Sequence, residues 1–170
     1  MKKLILSAFV LGGFALNSNA QATATATATA TIVTPISISK TADMNFGNVA
    51  VSASTGGTVI LAPAGTRTTG GAGGVTLPAT TGTVAAAAFT VNGNGSFTYA
   101  ITLPSSPITL TRASGSETMT AGTFTSTPSG TGTLSSGTQN LTVGATLTVG
   151  NGQVAGVYTS GNFNVTVNYN

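Results

Sequence analysis

Polar and apolar residues alternate along much of this chain with the period typical of β-strands. No stretch after residue 20 has apolar residues at the spacing of an amphipathic helix. The segment 162–170 alternates most clearly, with Asn and Thr placed between four apolar residues, namely Phe163, Val165, Val167 and Tyr169. About nine or ten short segments of this kind, separated by Gly, Pro and Asn, predict an all-β fold, an antiparallel immunoglobulin-like β-sandwich.

Glycine-rich turns divide the predicted strands. The sequence Asn92-Gly93-Asn94-Gly95 is a strong hairpin signal and predicts a hairpin that joins 83–91 to 96–103. Gly47 interrupts an alternating segment and indicates a bulge. The other predicted strands are 45–51, 58–62, 75–77, 108–112, 117–124, 139–149 and 157–159, and the predicted long loops are 63–74 and 125–138. Met119 and Phe124 are the core candidates in 117–124.

The dipeptide Ala-Thr occurs five times in succession at 22–31. In a strand the Ala side chains share one face, which continues through Ile32, Ile36 and Ile38. Pro35 marks a bend or an edge position in this stripe. Two interpretations stay open: the segment is the first strand of the domain itself, or it is an extension that pairs with a neighbouring copy.

The first twenty residues have the layout of a secretory signal peptide. Lys2 and Lys3 precede an uncharged, mostly apolar run of 13 residues at 4–16, and Ser18-Asn19-Ala20 ends in a small residue. Such a run is too short to cross a bilayer. We predict cleavage after Ala20, secretion to the cell surface or extracellular space, and no integral membrane segment thereafter. The predicted divisions are a signal peptide at 1–20, an Ala/Thr-rich extension at 21–31 and a single β-sandwich domain at 32–170.

The charge composition argues against most catalytic chemistry. The chain has five Lys or Arg, two Asp or Glu, and neither His nor Cys. Acid–base catalysis needs titratable groups, and transition-metal sites and disulfides need His or Cys. We therefore predict no enzyme activity, no cofactor and no metal site. Removal of the two signal-peptide lysines leaves three scattered cations and two acids, so no nucleic-acid partner is expected.

A few polar side chains remain as candidates for special roles. Lys40 could form an isopeptide bond with an Asn, assisted by a buried carboxyl of Asp43 or Glu117. Unpaired charges are costly to bury, so a surface ion pair is the simpler interpretation. Tyr99 and Tyr158 could stack on sugars, but alternation places both inward, which favours core packing.

Several stretches together resemble a known family. They are Thr41–Val49, Pro63–Arg67, Tyr99–Pro104, Val143–Leu147, Gly156–Tyr158 and Val165–Tyr169. They resemble the secreted bacterial proteins catalogued as domain-of-unknown-function family 4402. The resemblance covers nearly all of 32–170 and implies export from a bacterial cell and a β-sandwich. It implies no established activity and no catalytic residues.

The C-terminus also resembles the subunits of chaperone–usher pili. Those subunits end in an alternating apolar strand with a penultimate Tyr and a Gly fourteen positions before the end, as Tyr169 and Gly156 stand relative to Asn170. They carry an alternating N-terminal extension that completes the sheet of the neighbouring subunit, and 22–33 is similar to it. Many of them have a disulfide, which this chain lacks, and Ala fills a groove poorly.

These observations predict an exported structural protein of the cell surface or extracellular space, a pilus-like filament subunit that assembles by β-strand addition. The expected partners are further copies of the chain, joined head to tail, or a periplasmic chaperone. The candidate residues are Ile32, Ile36 and Ile38 for a donor or edge strand, and Phe163, Val165, Val167 and Tyr169 for a core or groove wall. An alternative is a monomeric secreted adhesin or glycan-binding module that uses the two long loops.

Overall fold

The chain folds into an antiparallel β-sandwich. A computed structural model describes residues 21–170, which contain thirteen strands and no helix. The all-β fold predicted from the alternation is confirmed, although the strands outnumber the about nine or ten expected. Their bounds are Ser37–Ala42 (β1), Ala50–Val51 (β2), Gly57–Leu61 (β3), Arg67–Gly70 (β4), Val75–Thr76 (β5), Ala87–Asn92 (β6), Thr98–Thr102 (β7), Ile108–Arg112 (β8), Thr118–Thr127 (β9), Thr131–Thr133 (β10), Thr138–Val149 (β11), Tyr158–Ser160 (β12) and Thr166–Tyr169 (β13).

The strands form three sheets. The largest has eight strands, in which β1, β6, β11, β9, β8 and β12 follow one another, with β3 and β4 continuing from β11. A three-stranded sheet, β10-β7-β13, and a two-stranded sheet, β2-β5, contribute to the cores that the large sheet buries. The twelve-residue β11 is central, because it pairs with β6 through its first half, with β3 through its second half and with β9 along its other edge.

Alternation along β11 builds both hydrophobic cores of the sandwich. Its odd-numbered residues from Leu141 to Val149 are all buried, as the period of a strand requires for one covered face. The first half of the strand packs with Tyr99 and Val167 of the three-stranded sheet. The second half packs with Val75 of the two-stranded sheet. One strand therefore links the two cores.

An extra residue in β9 changes which face of that strand is buried. The register against β11 shifts between Gly144 and Thr146, and Thr123 has a φ of 47°. Ala121 is buried before the shift, whereas Ser126 is buried after it, so the inward positions change from odd to even numbers. A bulge of this kind explains why the odd-numbered Met119 and the even-numbered Phe124 both pack against the core, although they lie in one strand.

The predicted hairpin at 92–95 is wrong, because this turn joins strands of different sheets. β6 pairs with β1 and β11, whereas β7 pairs with β10 and β13. The backbone N–H of Gly93 donates to the carbonyl of Gly137 at 2.8 Å, and the N–H of Gly137 donates to the carbonyl of Gly95 at 2.7 Å. The turn is thus bonded to the segment before β11, and it carries the chain from one layer to the other.

Two stretches predicted to be loops contain strands. β4 lies within 63–74, and the end of β9 and all of β10 lie within 125–138. Thr, which favours strands, outweighs Gly70 at the end of β4 and Gly132 in the middle of β10. Arg67 at the start of β4 also binds nearby loops of the same chain, since its guanidinium donates hydrogen bonds to the carbonyls of Phe46, of Asn48 at 2.7 Å and of Thr81 at 3.3 Å.

The predicted strand at 45–51 is reduced to β2 and to a bridge between Asn45 and Ala85. Gly47 has a φ of 68°, which favours Gly, and its N–H donates to the side-chain oxygen of Asn45 at 2.8 Å. This local turn replaces the predicted bulge. The terminal strands are also shorter than predicted, because β1 begins only at Ser37 and β13 only at Thr166.

The N-terminal segment 21–31 contains no helix or strand, and its side chains are exposed. The chain divides into a unit that ends at Ile32 and a compact unit that comprises Val33–Asn170. The predicted signal peptide at 1–20 lies outside the described residues. Within 21–170, no helix is long and apolar enough to span a membrane.

The hairpin between β8 and β9 carries a half-buried ion pair. The Nε of Arg112 lies 2.6 Å from Oε2 of Glu117, and its Nη2 donates to Oε1 at 3.2 Å. The hydrogen bond from Arg112 holds the pKa of Glu117 below its ordinary value of 4.5. A carboxyl with a lowered pKa in the folded state contributes stability above its unfolded pKa, and this contribution is lost as the pH falls through the folded pKa.

We expect Glu117→Gln to lower the melting temperature at about pH 7, and this difference to shrink as the pH falls through the lowered pKa of the carboxyl and the folded state becomes protonated. Thermal unfolding of wild type and variant across this range measures the difference. Asp43→Asn is the control, because it removes a carboxyl without disturbing the Arg112 pair. A difference between Glu117→Gln and wild type that persists unchanged in acid would contradict the prediction.

Candidate functional site

A cleft of about 1250 Å³ lies over the large sheet. Six strands of the large sheet contribute to its lining, namely β1, β6, β11, β9, β8 and β12, so it crosses the sheet from one edge strand to the other. Its apolar floor includes Phe89, Leu110, Met119 and Leu147. Phe89, Leu110 and Met119 are only half-buried, so the floor is apolar surface that the chain itself leaves partly uncovered.

Thr83 and two segments, 43–51 with β2 at its end and 153–165 on either side of β12, provide the rest of the lining. The charged residues among all the lining residues are Lys40 and Asp43, whose side chains form an exposed ion pair at 2.6 Å. Val154 and Val157 expose 45% and 69% of their surface beside the cleft. The cleft is therefore suited to an uncharged, largely apolar occupant.

The segment 161–165 has the pattern of a strand without a strand partner. Phe163 and Val165 are half-buried and alternate with exposed Asn residues, yet the segment belongs to no strand. None of the hydrogen bonds between described loops and turns involves its backbone. It continues into β13, which pairs with β7 alone. Its backbone and the open edge of β13 are consequently free to pair with another strand.

Tyr169 ties the end of β13 to the segment that precedes β1. Its hydroxyl donates to the carbonyl of Thr34 at 2.8 Å and accepts a hydrogen bond from the N–H of Asn94 at 2.6 Å. Its ring meets that of Phe97 edge to face, with the centroids 5.6 Å apart. A Cβ added to Gly93 would lie 2.3 Å from this hydroxyl, so the turn passes close beneath it. The penultimate Tyr thus fixes the point at which the chain enters β1.

The structure brings six of the seven candidate residues together. Val167 is buried in the core beneath the three-stranded sheet, and the half-buried residues that pack against the same core include Ile36, Ile38, Phe163, Val165 and Tyr169. Ile32 lies apart, with 98% of its surface exposed. Ile36 and Ile38 belong to the region of β1, which pairs with β6 of the same chain.

Three of these residues, Ile38, Phe163 and Val165, line the cleft. The sequence reasoning missed most of the floor, such as Leu110 and Leu147, since alternation identifies an inward face but not whether a second layer covers it. Met119 was predicted as a core residue, and it packs at the edge of the other core. The uncovered floor leaves no signal in the sequence.

The other polar candidates occupy separate places. Lys40 pairs with Asp43 at the surface, as predicted, whereas Glu117 binds Arg112. Tyr99 is fully buried, its hydroxyl donates to Oε1 of Gln139 at 2.7 Å, and burial raises its pKa. Core packing is confirmed for Tyr99.

Tyr158 differs from the prediction of core packing, because it is half-buried and lines the cleft. Its hydroxyl donates to the carbonyl of Val154 at 2.7 Å and lies 3.0 Å from Nε2 of Gln153. These contacts hold the segment before β12 against the edge of the large sheet. Within 21–170, no group of His, Cys, Asp or Glu is arranged to hold a metal ion.

Comparison with known proteins identifies the family. No curated protein and no solved structure matches the chain. A family model described as a domain of unknown function, DUF4402, matches residues 36–169. The match includes both cores, the cleft floor and β13, and it confirms the family resemblance seen in the sequence. The chain belongs to the DUF4402 family.

Proposed function

We propose that the protein is an exported, non-enzymatic structural subunit whose copies join head to tail by β-strand addition. The observation that carries the proposal is the segment 21–32, which forms neither helix nor strand and exposes its side chains. Exposure of 98% of Ile32 leaves a large apolar side chain in water, which burial against a partner would relieve.

The composition of the segment supports pairing as a strand. Ala and Thr alternate without a charge or a Pro between residues 22 and 31, so one face is apolar and the backbone keeps all its donors. Thr favours strands. Addition of a strand to an open sheet edge gains main-chain hydrogen bonds, and alternate side chains provide the specificity.

The sandwich offers open edges for such pairing. β1, β12 and β13 each pair with one strand only. An extension that leaves one copy and pairs with an edge of the next makes a contact between two different surfaces. Contacts of that type do not need to close, so repetition gives a filament.

Deletion of 21–31 tests the proposal. Wild type is expected to form high-mass polymers after secretion, and the deletion variant is expected to remain a folded monomer, as measured by light scattering, circular dichroism and negative-stain images. Thr25→Pro combined with Thr27→Pro removes backbone donors at unchanged length and is expected to abolish polymers too. The matched control, Thr25→Val with Thr27→Val, keeps each N–H and is expected to polymerise.

Two outcomes would contradict the proposal. One is a wild-type protein that stays monomeric after removal of the signal peptide. The other is a polymer that persists after both the deletion and the proline substitutions. A monomer that binds glycans would favour the alternative of a secreted adhesin.

A further inference from the structure

We propose that the cleft over the large sheet receives residues 22–31 of a second copy of the chain. This inference rests on the proposed function and names the surface on which strand addition takes place. Three properties of the cleft carry it: its size, the unpaired backbone along it, and the match between its lining and the side chains of the extension.

The cleft has the dimensions of a polypeptide segment. Its volume of about 1250 Å³ exceeds the range of roughly 300–1,000 Å³ that is usual for small-molecule sites. From β1 to β12 it crosses five inter-strand spacings, which is about 24 Å. Residues 22–31 in an extended conformation span about 33 Å, so the segment is long enough to cross the cleft.

The segment 161–165 provides a pairing edge along the cleft. It alternates as a strand does, lies directly before β13 and has no strand partner within the described chain. Its residues Gly161, Asn162 and Asn164 are exposed, so an incoming strand can pair with this backbone without any change in the existing sheets. The new strand would extend the three-stranded sheet at β13, whose outer edge is open.

The side chains of the extension suit this floor. The floor already holds the large side chains of Phe89, Leu110 and Met119. Small Ala side chains on the inward face allow the incoming backbone to approach them closely, while Thr side chains on the outward face contact solvent. Both surfaces are nearly uncharged, because the extension has no charge and the cleft has one paired Lys and Asp.

Disulfide trapping between two singly substituted full-length proteins tests the inference, since the natural chain has no Cys. One protein carries Ala24→Cys, Ala26→Cys or Ala28→Cys, and the other carries Met119→Cys on the floor. After mixing and air oxidation, we expect a covalent heterodimer from at least one Ala position, because a disulfide requires Cα atoms within about 7 Å. Leu110→Cys is a second floor variant in case Met119→Cys does not fold.

Two controls make the result specific. Thr109→Cys lies on β8 but on its exposed face, and it is expected to give no heterodimer. Thr25→Cys and Thr27→Cys have the opposite parity in the extension, and they are expected to lose the cross-link to the floor. Circular dichroism of each variant establishes that the sandwich is folded.

The outcomes separate this inference from the proposed function. If polymers form and require residues 21–31, but neither floor variant is trapped, the inference is wrong and the proposed function stands. Equal trapping at Thr109→Cys and Met119→Cys also overturns the inference. If no polymer forms at all, both proposals fail.

Discussion

Tyr99→Ala is expected to lower the free energy of unfolding by about 3–5 kcal/mol, the range for truncation of a buried aromatic residue. The Tyr99 ring is completely buried between the three-stranded sheet and β11. Gly132 lies against it so closely that an added Cβ would be 2.2 Å from Cζ of the ring. The surrounding strands are paired on both sides of β7, so the cavity left by truncation cannot collapse easily. Urea denaturation measures the loss.

Tyr99→Phe is the matched control for this prediction. It keeps the ring but removes the hydroxyl that donates to Oε1 of Gln139 at 2.7 Å. The expected loss is about 1–2 kcal/mol, because a partly buried acceptor is left without its donor. A Tyr99→Ala variant as stable as Tyr99→Phe would show that the ring is not the centre of this core.

Strands with regular alternation were predictable from the sequence. β8 and β11 match the predicted 108–112 and 139–149 to within a residue, because each has an uninterrupted series of inward apolar positions. Met119 and Phe124 in β9 were also recognised as core candidates. Met119 is odd-numbered and Phe124 is even-numbered, because β9 has an extra residue at Thr123 between them. Alternation alone does not locate this extra residue.

The pairing of strands was not predictable in the same way. The turn at 92–95 has the residues of a hairpin, but its partners lie far away in the sequence, at Gly137 and Tyr169. Backbone bonds to distant segments depend on the packing of whole layers, whereas turn propensity depends on neighbouring residues only. The same limit applies to the cleft, since its floor in β8 and β9 has the same alternating pattern as a covered strand.

The candidate residues near the N-terminus were predicted as one stripe, and the structure keeps only part of it together. The alternating stripe from Ile32 to Ile38 is continuous in the sequence, but the structure divides it. Ile36 and Ile38 pack against the core of their own chain, while Ile32 is exposed. Pro35 stands between the two parts, where the absence of an N–H prevents regular pairing. The division separates the part that folds into the domain from the part that we propose to act between copies.

Gly144→Ala is expected to lower the free energy of unfolding by about 2–3 kcal/mol, toward the upper end for overpacking of a core. Gly144 lies where the partner of β11 changes from β6 to β3. A Cβ at this position would be 2.1 Å from the carbonyl oxygen of Leu61 and 2.9 Å from the nitrogen of Pro63. Both atoms belong to the backbone, so relief of the overlap requires β3 to move away from β11. Urea denaturation again measures the effect.

Gly150→Ala provides the comparison, because the position follows β11 directly and its nearest neighbour is the flexible side chain of Gln153 at 3.3 Å. Its effect is expected to stay within about 0.5 kcal/mol. If the two substitutions have equal effects, close approach of β3 at Gly144 is not what distinguishes this position. If Gly144→Ala alone is destabilising, the close approach of the β3 backbone to β11 at this position accounts for the difference.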